Sequence, residues 1–342
     1  MSTVTFKPKQ ITKKITNSLP DRNKDVIMNR YGLTADARRR TLEEIGKKYG
    51  ITRERVRQIE NSTFNLIKKS EHFLEEQSIF DELKSLIKSL GSMVSEQDFL
   101  QLISKDKSIQ NHIHFFLHLG DYFKKHSDDE NFKVRWSIDD ELANKIHESL
   151  RRLYSKISNE DLIPESEMIK RFLDELKDVS DDYCNEEIAK RWLSLSKNIS
   201  KNPLGEWGKK NSPNIRTRGV KDFAYLVMRK HGSPMHFKEV ASAITKTFGK
   251  KTHSATCHNE LIKDPRFILV GRGLYALSEW GYKTGIAREV IRDILKREGP
   301  LSKEDIIEKV MKERYFKKNT IIVNLVNQKY FKKNKSGLYT IA

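Results

Sequence analysis

The sequence predicts a mainly α protein: a helix-turn-helix domain followed by tandem winged-helix units, each with a small β-hairpin wing. Three observations carry this expectation. The segment Thr41–Glu60 has the caps, the glycine turn and the apolar spacing of a helix-turn-helix. Glycine or proline turns near residues 91, 163, 232 and 299 recur 67 to 72 residues apart, each followed by a helix-periodic stretch. Alternating runs at 132–136, 273–277 and 337–341 close three of these four units as hairpins.

Taken in order, residues 1–14 are polar, basic and aperiodic, and read as a flexible arm. Residues 15–75 form the helix-turn-helix domain. Leu19-Pro20-Asp21 opens a helix, Val26, Ile27 and Tyr31 follow at helical spacing, and Gly32 ends it. Thr41 N-caps the next helix, with Glu44 closing a capping box three residues on. Leu42, Ile45 and Tyr49 make its apolar stripe and Gly50 permits a tight turn. Thr52 caps a third helix, on which Val56, Ile59 and Thr63 point inward. Residues 76–157 form a winged-helix-like unit whose helix carries Phe99, Leu102 and Ile103. Residues 158–201 form a helical unit with no clear hairpin, a degenerate winged helix. The stretch 202–218 is rich in Gly, Pro and Asn and reads as a linker. Residues 219–283 and 284–342 are the last two winged helices.

Composition bounds the function. The chain has 342 residues, 33% of them charged, and a net charge of +18. That charge divides as +10 over 1–70, −9 over 71–200 and +17 over 201–342. Two basic ends therefore suit a polyanion, while the middle suits spacing or protein contact. No apolar run is long enough to span a bilayer and the start has no signal-peptide pattern, so a cytoplasmic, nucleoid-associated protein is expected. Cys184 and Cys257 lie too far apart for a ligand pair, which excludes a disulfide framework and a cysteine-rich zinc module.

The helix after Thr52 presents Arg53, Glu54, Arg57 and Gln58 on one outward face. Those side chains read bases: Arg forks onto guanine, Gln pairs with adenine, and Glu accepts from the cytosine amino group. The alternative is a solvated, salt-bridged surface helix.

From about Leu19 to Lys69 the chain closely resembles region 4 of the sigma-70 family of RNA polymerase sigma factors, the part that binds the −35 promoter element. Leu19-Pro20-Asp21-Arg22 through Arg30-Tyr31-Gly32-Leu33, and the run Thr41–Glu60, carry the resemblance. It implies that Arg53, Glu54, Arg57 and Gln58 face bases. It also implies that Thr41, Leu42, Thr52 and Arg55, at the helix N-termini, contact phosphate, and that the β flap of RNA polymerase is a second partner. Sigma factors place a promoter-melting region ahead of region 4, and only about 18 residues precede it here. The expectation is a bacterial regulator that shares the −35 reader but does not open a promoter by itself.

A second resemblance spans roughly Arg218 to Trp280. Pro234-Met235-His236-Phe237-Lys238-Glu239-Val240-Ala241 and Gly271-Arg272-Gly273-Leu274-Tyr275-Ala276-Leu277 look like a HARE-type winged helix, the family that includes the N-terminal domain of the RNA polymerase delta subunit. The candidate reading helix there is about Thr252 to Ile262, with Lys250, Lys251, His253, Thr256 and Arg272 as possible DNA contacts. In the last unit Lys317, Lys318, Lys332 and Lys333, with Lys329 and Lys335, suit phosphate contact better than base reading.

Other constellations carry less. His114 and His118 are spaced for a metal but lack a third ligand, and His112 beside them reads as packing. His253, Cys257 and His258 share a helix without a nucleophile's surroundings. Neither a nucleophile elbow nor a phosphate-binding glycine loop is present. The sequence-level reading is a non-enzymatic, sequence-specific double-stranded DNA-binding transcription regulator without cofactor or small-molecule substrate. The alternative is a delta-like accessory factor that binds polymerase more than DNA.

Overall fold

In the computed structural model the N-terminal segment expected as an arm holds a helix. α1 (Pro8–Ile15) has Pro8 in its first turn, where a missing N–H costs little. Pro8, Ile11, Thr12 and Ile15 fall at i, i+3, i+4 and i+7, and Pro8, Thr12 and Ile15 are buried. The Thr12 hydroxyl shares a 2.7 Å hydrogen bond with His112 Nδ1, so a polar residue occupies a slot in the apolar stripe. The structure describes residues 4–176, 183, 185–282, 287–313 and 316–342. The chain divides into two compact units, 1–201 with 207–210, and 202–206 with 211–342.

In the first unit, α2 (Asp21–Tyr31), α3 (Leu42–Tyr49) and α4 (Arg53–Lys68) form the helix-turn-helix. Val26, Ile45, Val56 and Ile59 make its small core, with Leu42, Tyr49 and Ile51 packed against them. Both α2 and α4 have a second buried face. Ile27, Tyr31 and Ile67 belong to a larger core shared with the following winged helix.

That winged helix follows α5 (Glu71–Glu75). It consists of α6 (Gln77–Ser89), β1 (Met93–Ser95), α7 (Glu96–Ile103), α8 (Lys107–Leu119), β2 (Lys124–His126) and β3 (Arg135–Ser137). The antiparallel sheet runs β1-β3-β2, with Met93 and Lys124 both opposite Ser137. α8 stands where this fold presents its reading helix, yet it is apolar nearly all round. Ile113, Phe115, Phe116, Leu117 and Leu119 are completely buried and join the core of α1, α2 and α6. Burying each such side chain contributes about 1.5–3 kcal/mol.

The next unit corrects the sequence-level boundaries. α9 (Asp140–Lys156), expected in the preceding unit, packs Leu142, Ile146 and Leu150 with Met168, Phe172 and Trp192 of α10 (Glu165–Glu175) and α11 (Glu186–Leu193). The stretch expected to be a linker begins inside a hairpin, β4 (Ile199–Lys201) and β5 (Trp207–Lys209). Ile163 exchanges backbone bonds with Trp207 at 2.7 and 2.8 Å, a first strand reduced to one residue. The helical unit is therefore a winged helix with a wing.

The second unit holds two more. One is α12 (Val220–His231), β6 (Met235–His236), α13 (Phe237–Phe248), α14 (Ser254–Lys263), β7 (Phe267–Gly271) and β8 (Leu274–Leu277), in sheet order β6-β8-β7. The other is α15 (Ala287–Glu298), α16 (Lys303–Glu313), α17 (Lys318–Leu325), β9 (Phe331–Lys333) and β10 (Tyr339–Ile341), where Leu301 bridges Tyr339 as the reduced first strand. All four units place the third strand between the first and the second. Among the described residues no helix is long and apolar enough to cross a membrane.

Candidate nucleic-acid interface

The turn between α3 and α4 is set by local chemistry. Thr41 Oγ1 accepts from the Glu44 backbone N–H at 3.1 Å while a Glu44 carboxylate oxygen accepts from the Thr41 N–H at 2.7 Å, a complete capping box. Gly50 ends α3 at φ 60°, a left-handed position that disfavours a side chain. Thr52 Oγ1 accepts from the Arg55 N–H at 3.2 Å and caps α4. Gly46, which sequence reasoning passed over, is the second glycine the turn needs. A Cβ there would lie 2.6 Å from the Ile51 carbonyl, which crosses α3 at that point.

α4 buries Val56, Ile59, Glu60 and Thr63 and turns Arg53, Glu54, Arg57 and Gln58 to solvent. Arg57 holds Glu54 with two bonds, of 2.6 and 3.0 Å, and Arg55 donates to Gln58 at 3.0 Å. The hydrogen bond from Arg57 holds the Glu54 carboxyl below its ordinary range. Exposed pairs of this kind are screened by water and weak, so a base edge can replace them at little cost. Thr41, Thr52 and Arg55 are exposed at the two helix starts and Leu42 is half-buried.

The back of α4 is anchored. The Tyr31 hydroxyl donates to Glu60 at 2.8 Å and Arg30 stands 3.6 Å from the same carboxylate. Burial and the Glu60 charge push the Tyr31 phenol well above its ordinary value. Beneath Tyr31 the α8 histidines pack rather than gather a ligand. His114 Nε2 lies 3.4 Å from Glu96, and His118 Nδ1 bonds the His114 carbonyl at 2.9 Å. Burial brings His112 down to about 4 and His118 to about 3. Burial alone would raise Glu96, but His114, Lys125 and the Trp136 N–H outweigh it and bring it down to about 2.

The candidates in the second unit divide. Lys251, His253, Thr256 and Arg272 are exposed, at the start of α14 and on the β7–β8 turn. Lys250 instead turns back to the start of α12, 3.5 Å from the Arg218 carbonyl and 4.5 Å above the Phe223 ring. In the last winged helix Lys317 and Lys318 open α17, Lys332 and Lys333 lie on β9, and all four are exposed. No acidic residue follows Glu313 in the sequence, so the positive charge of this module lies on its third helix and its wing. Cys257 is buried and its thiol is pushed up to about 11, which leaves it unreactive. Cys184 lies outside the described residues. Among those residues no group of three or more His, Cys, Asp or Glu is placed to hold a metal ion.

A capped helix-turn-helix with a charged, exposed second helix, joined to four winged helices, is an architecture of the DNA-binding helix-turn-helix class. Comparison with known families makes this specific. Residues 17–69 match the model for sigma-70, region 4. Residues 218–280 match the HARE-HTH model, the helix-turn-helix domain named for ASXL proteins and restriction endonucleases. The chain is 47% identical over 58 residues to RNA polymerase sigma factor RpoD of Helicobacter pylori (strain ATCC 700392 / 26695), covering 17% of this chain and 9% of that protein. It is 51% identical over 55 residues to RNA polymerase sigma factor sigB of Arabidopsis thaliana, covering 16% of this chain and 9% of that one. The chain thus spans less than a tenth of the length of these relatives.

Proposed function

We propose that this protein is a sequence-specific double-stranded DNA-binding regulator of transcription that reads a promoter element resembling the −35 hexamer through α4. One observation carries the reading: Arg53, Glu54, Arg57 and Gln58 share the exposed face of a helix that is capped at Thr52 and anchored behind by Tyr31. The N-terminal half of α4 enters the major groove, while Thr41, Leu42, Thr52 and Arg55 meet flanking phosphates at the two helix starts. The lysines of α17 and β9 grip backbone nearby, with Lys251, His253, Thr256 and Arg272 as a further contact. Linking weak modules raises their effective concentration on one duplex. The protein acts in the cytoplasm on the nucleoid, without catalysis, and RNA polymerase, through its β flap, is the second partner that the match over 17–69 supports.

Selection of bound sequences from random duplex DNA tests the proposal. A −35-like hexamer is expected to enrich, and the Arg53→Ala, Arg57→Ala double variant to lose that enrichment. If wild type enriches nothing, or the double variant enriches the same hexamer, direct readout by α4 is wrong.

A further inference from the structure

The acidic middle of the sequence, 71–200, and the ten residues after it fold into a surface with a lysine groove. Lys190 on α11, Lys201 on β4, Lys197 and Lys210 flanking that hairpin, and Lys133 from the wing of the preceding winged helix line one open groove floored by Trp207. Among the described residues none that lines it is acidic. Two backbone bonds assemble it. The Lys133 N–H donates to the Leu195 carbonyl at 3.0 Å and the Lys197 N–H donates to the Asn131 carbonyl at 2.7 Å, with Phe132 bridged to Ser196 between them. The wing of one winged helix is stitched to the strand entry of the next, and their lysines are held together. Lys201 Nζ lies 4.8 Å above the Trp207 ring, which fixes its position.

The counter-charges stand at the edge. Glu165 pairs with Lys190 at 3.2 Å and also with Lys201, and Asp128 pairs with Lys197. Lys133 and Lys210 have no ion-pair partner among the described residues. Three of the five, Lys133, Lys190 and Lys197, lie in the segment 71–200 of net charge −9, yet they meet Lys201 and Lys210 in a groove that no acidic side chain lines among the described residues, and gathering five ammonium groups is unfavourable unless an anion offsets their repulsion. Ammonium groups suit phosphate as point charges and carry no base preference.

We infer that this groove binds nucleic-acid phosphates, so that the middle of the chain also touches the duplex backbone. The inference rests on the DNA-binding reading above and adds a contact which charge counting along the sequence assigned only to the two ends. Glu165 competes for the site: it holds Lys190 and Lys201 until phosphates displace it.

The test uses the full chain and a fluorescent random-sequence duplex, titrated at several salt concentrations. Lys133→Ala with Lys210→Ala is expected to weaken binding about tenfold at 0.1 M salt and to reduce the slope of log affinity against log salt by about 1.8, at about 0.9 per phosphate contact. Glu165→Gln is expected to tighten binding several-fold, an increase that misfolding cannot imitate. Unchanged affinity and slope in both variants, while wild type binds, would overturn the groove alone and leave α4 readout standing. Wild type that binds no duplex would overturn both. Loss of hexamer preference in the Arg53, Arg57 variant, with the groove variants still shifting the salt slope, would sustain the groove and separate it from base reading.

Discussion

Arg39 Nε donates to the Asn111 side-chain oxygen at 2.7 Å, and Asn111 Nδ2 donates to the carbonyls of Gly32 and Ala37, each at 2.9 Å. Asn111 is completely buried on α8, so one amide ties the turn between α2 and α3 to the helix beneath it. Asn111→Leu keeps the volume and removes both donors and the acceptor. It is expected to cost about 2–3 kcal/mol in urea unfolding, the penalty of buried groups left without partners. A loss under about 0.5 kcal/mol would mean that water replaces the amide and the tie is not structural.

The tight turn depends on Gly46 and Thr52. Gly46→Ala forces the Ile51 carbonyl away from α3 and is expected to cost about 1–3 kcal/mol. Thr52→Ala removes the cap on α4 and is expected to cost about 1 kcal/mol. Both changes leave every base-reading side chain in place. Weakened DNA binding by Gly46→Ala, measured by anisotropy, ties readout to the geometry of the turn, whereas Thr52→Ala also removes a proposed phosphate contact; full-strength binding by Gly46→Ala would argue against that geometry.

The Arg57–Glu54 pair predicts two different phenotypes. Arg57→Ala removes a proposed base contact and should cost about 1–3 kcal/mol on the selected hexamer while relaxing preference at one position. Glu54→Gln removes a negative charge beside the phosphates. It should strengthen binding to scrambled duplex and narrow the gap between specific and non-specific affinity. Equal losses on both duplexes from Arg57→Ala would place that residue on the backbone instead.

Two buried histidines and one half-buried histidine give the fold an acid limit. His112, His118 and His147 are held neutral, with values brought down by burial to about 4, 3 and 3. Unfolding returns them to about 6.5, so the unfolded chain binds more protons between those values and stability falls as pH drops through that window. The melting temperature, followed by circular dichroism, should decline from pH 6.5 to pH 5, above the range where exposed carboxylates titrate. His118→Phe should flatten that decline. An identical pH profile in the variant would remove His118 from the account.

The helix-turn-helix was legible because each of its signals is local. Thr41 with Glu44, Gly50, Thr52, and Val56 with Ile59 lie within one twenty-residue window, and no distant residue decides them. Gly46 was not legible, because its reason is the Ile51 carbonyl crossing the helix. α1 escaped notice because Thr12 takes an apolar slot and finds its partner at His112, a hundred residues away. Residues 202–209 of the wing read as part of a linker because its first strand has shrunk to Ile163. The burial of α8 did carry a signal. Its run Ile113-His114-Phe115-Phe116-Leu117-His118-Leu119 has no polar face wide enough for water, and such helices are enclosed. The lysine groove carried none, since Lys133, Lys190 and Lys197 come from a segment whose summed charge is negative and meet Lys201 and Lys210 only in the fold.

The seat of α2 and α4 on α8 also imposes an order on synthesis. The helix-turn-helix is synthesised before α8, so Ile27, Tyr31 and Ile67 lack part of their cover until residues 107–119 emerge about fifty residues later. At translation speeds of roughly 5–20 residues per second that interval lasts about 2.5–10 s. During it the reading helix is made while part of its apolar back is still wet, so its final seating waits on the synthesis of α8.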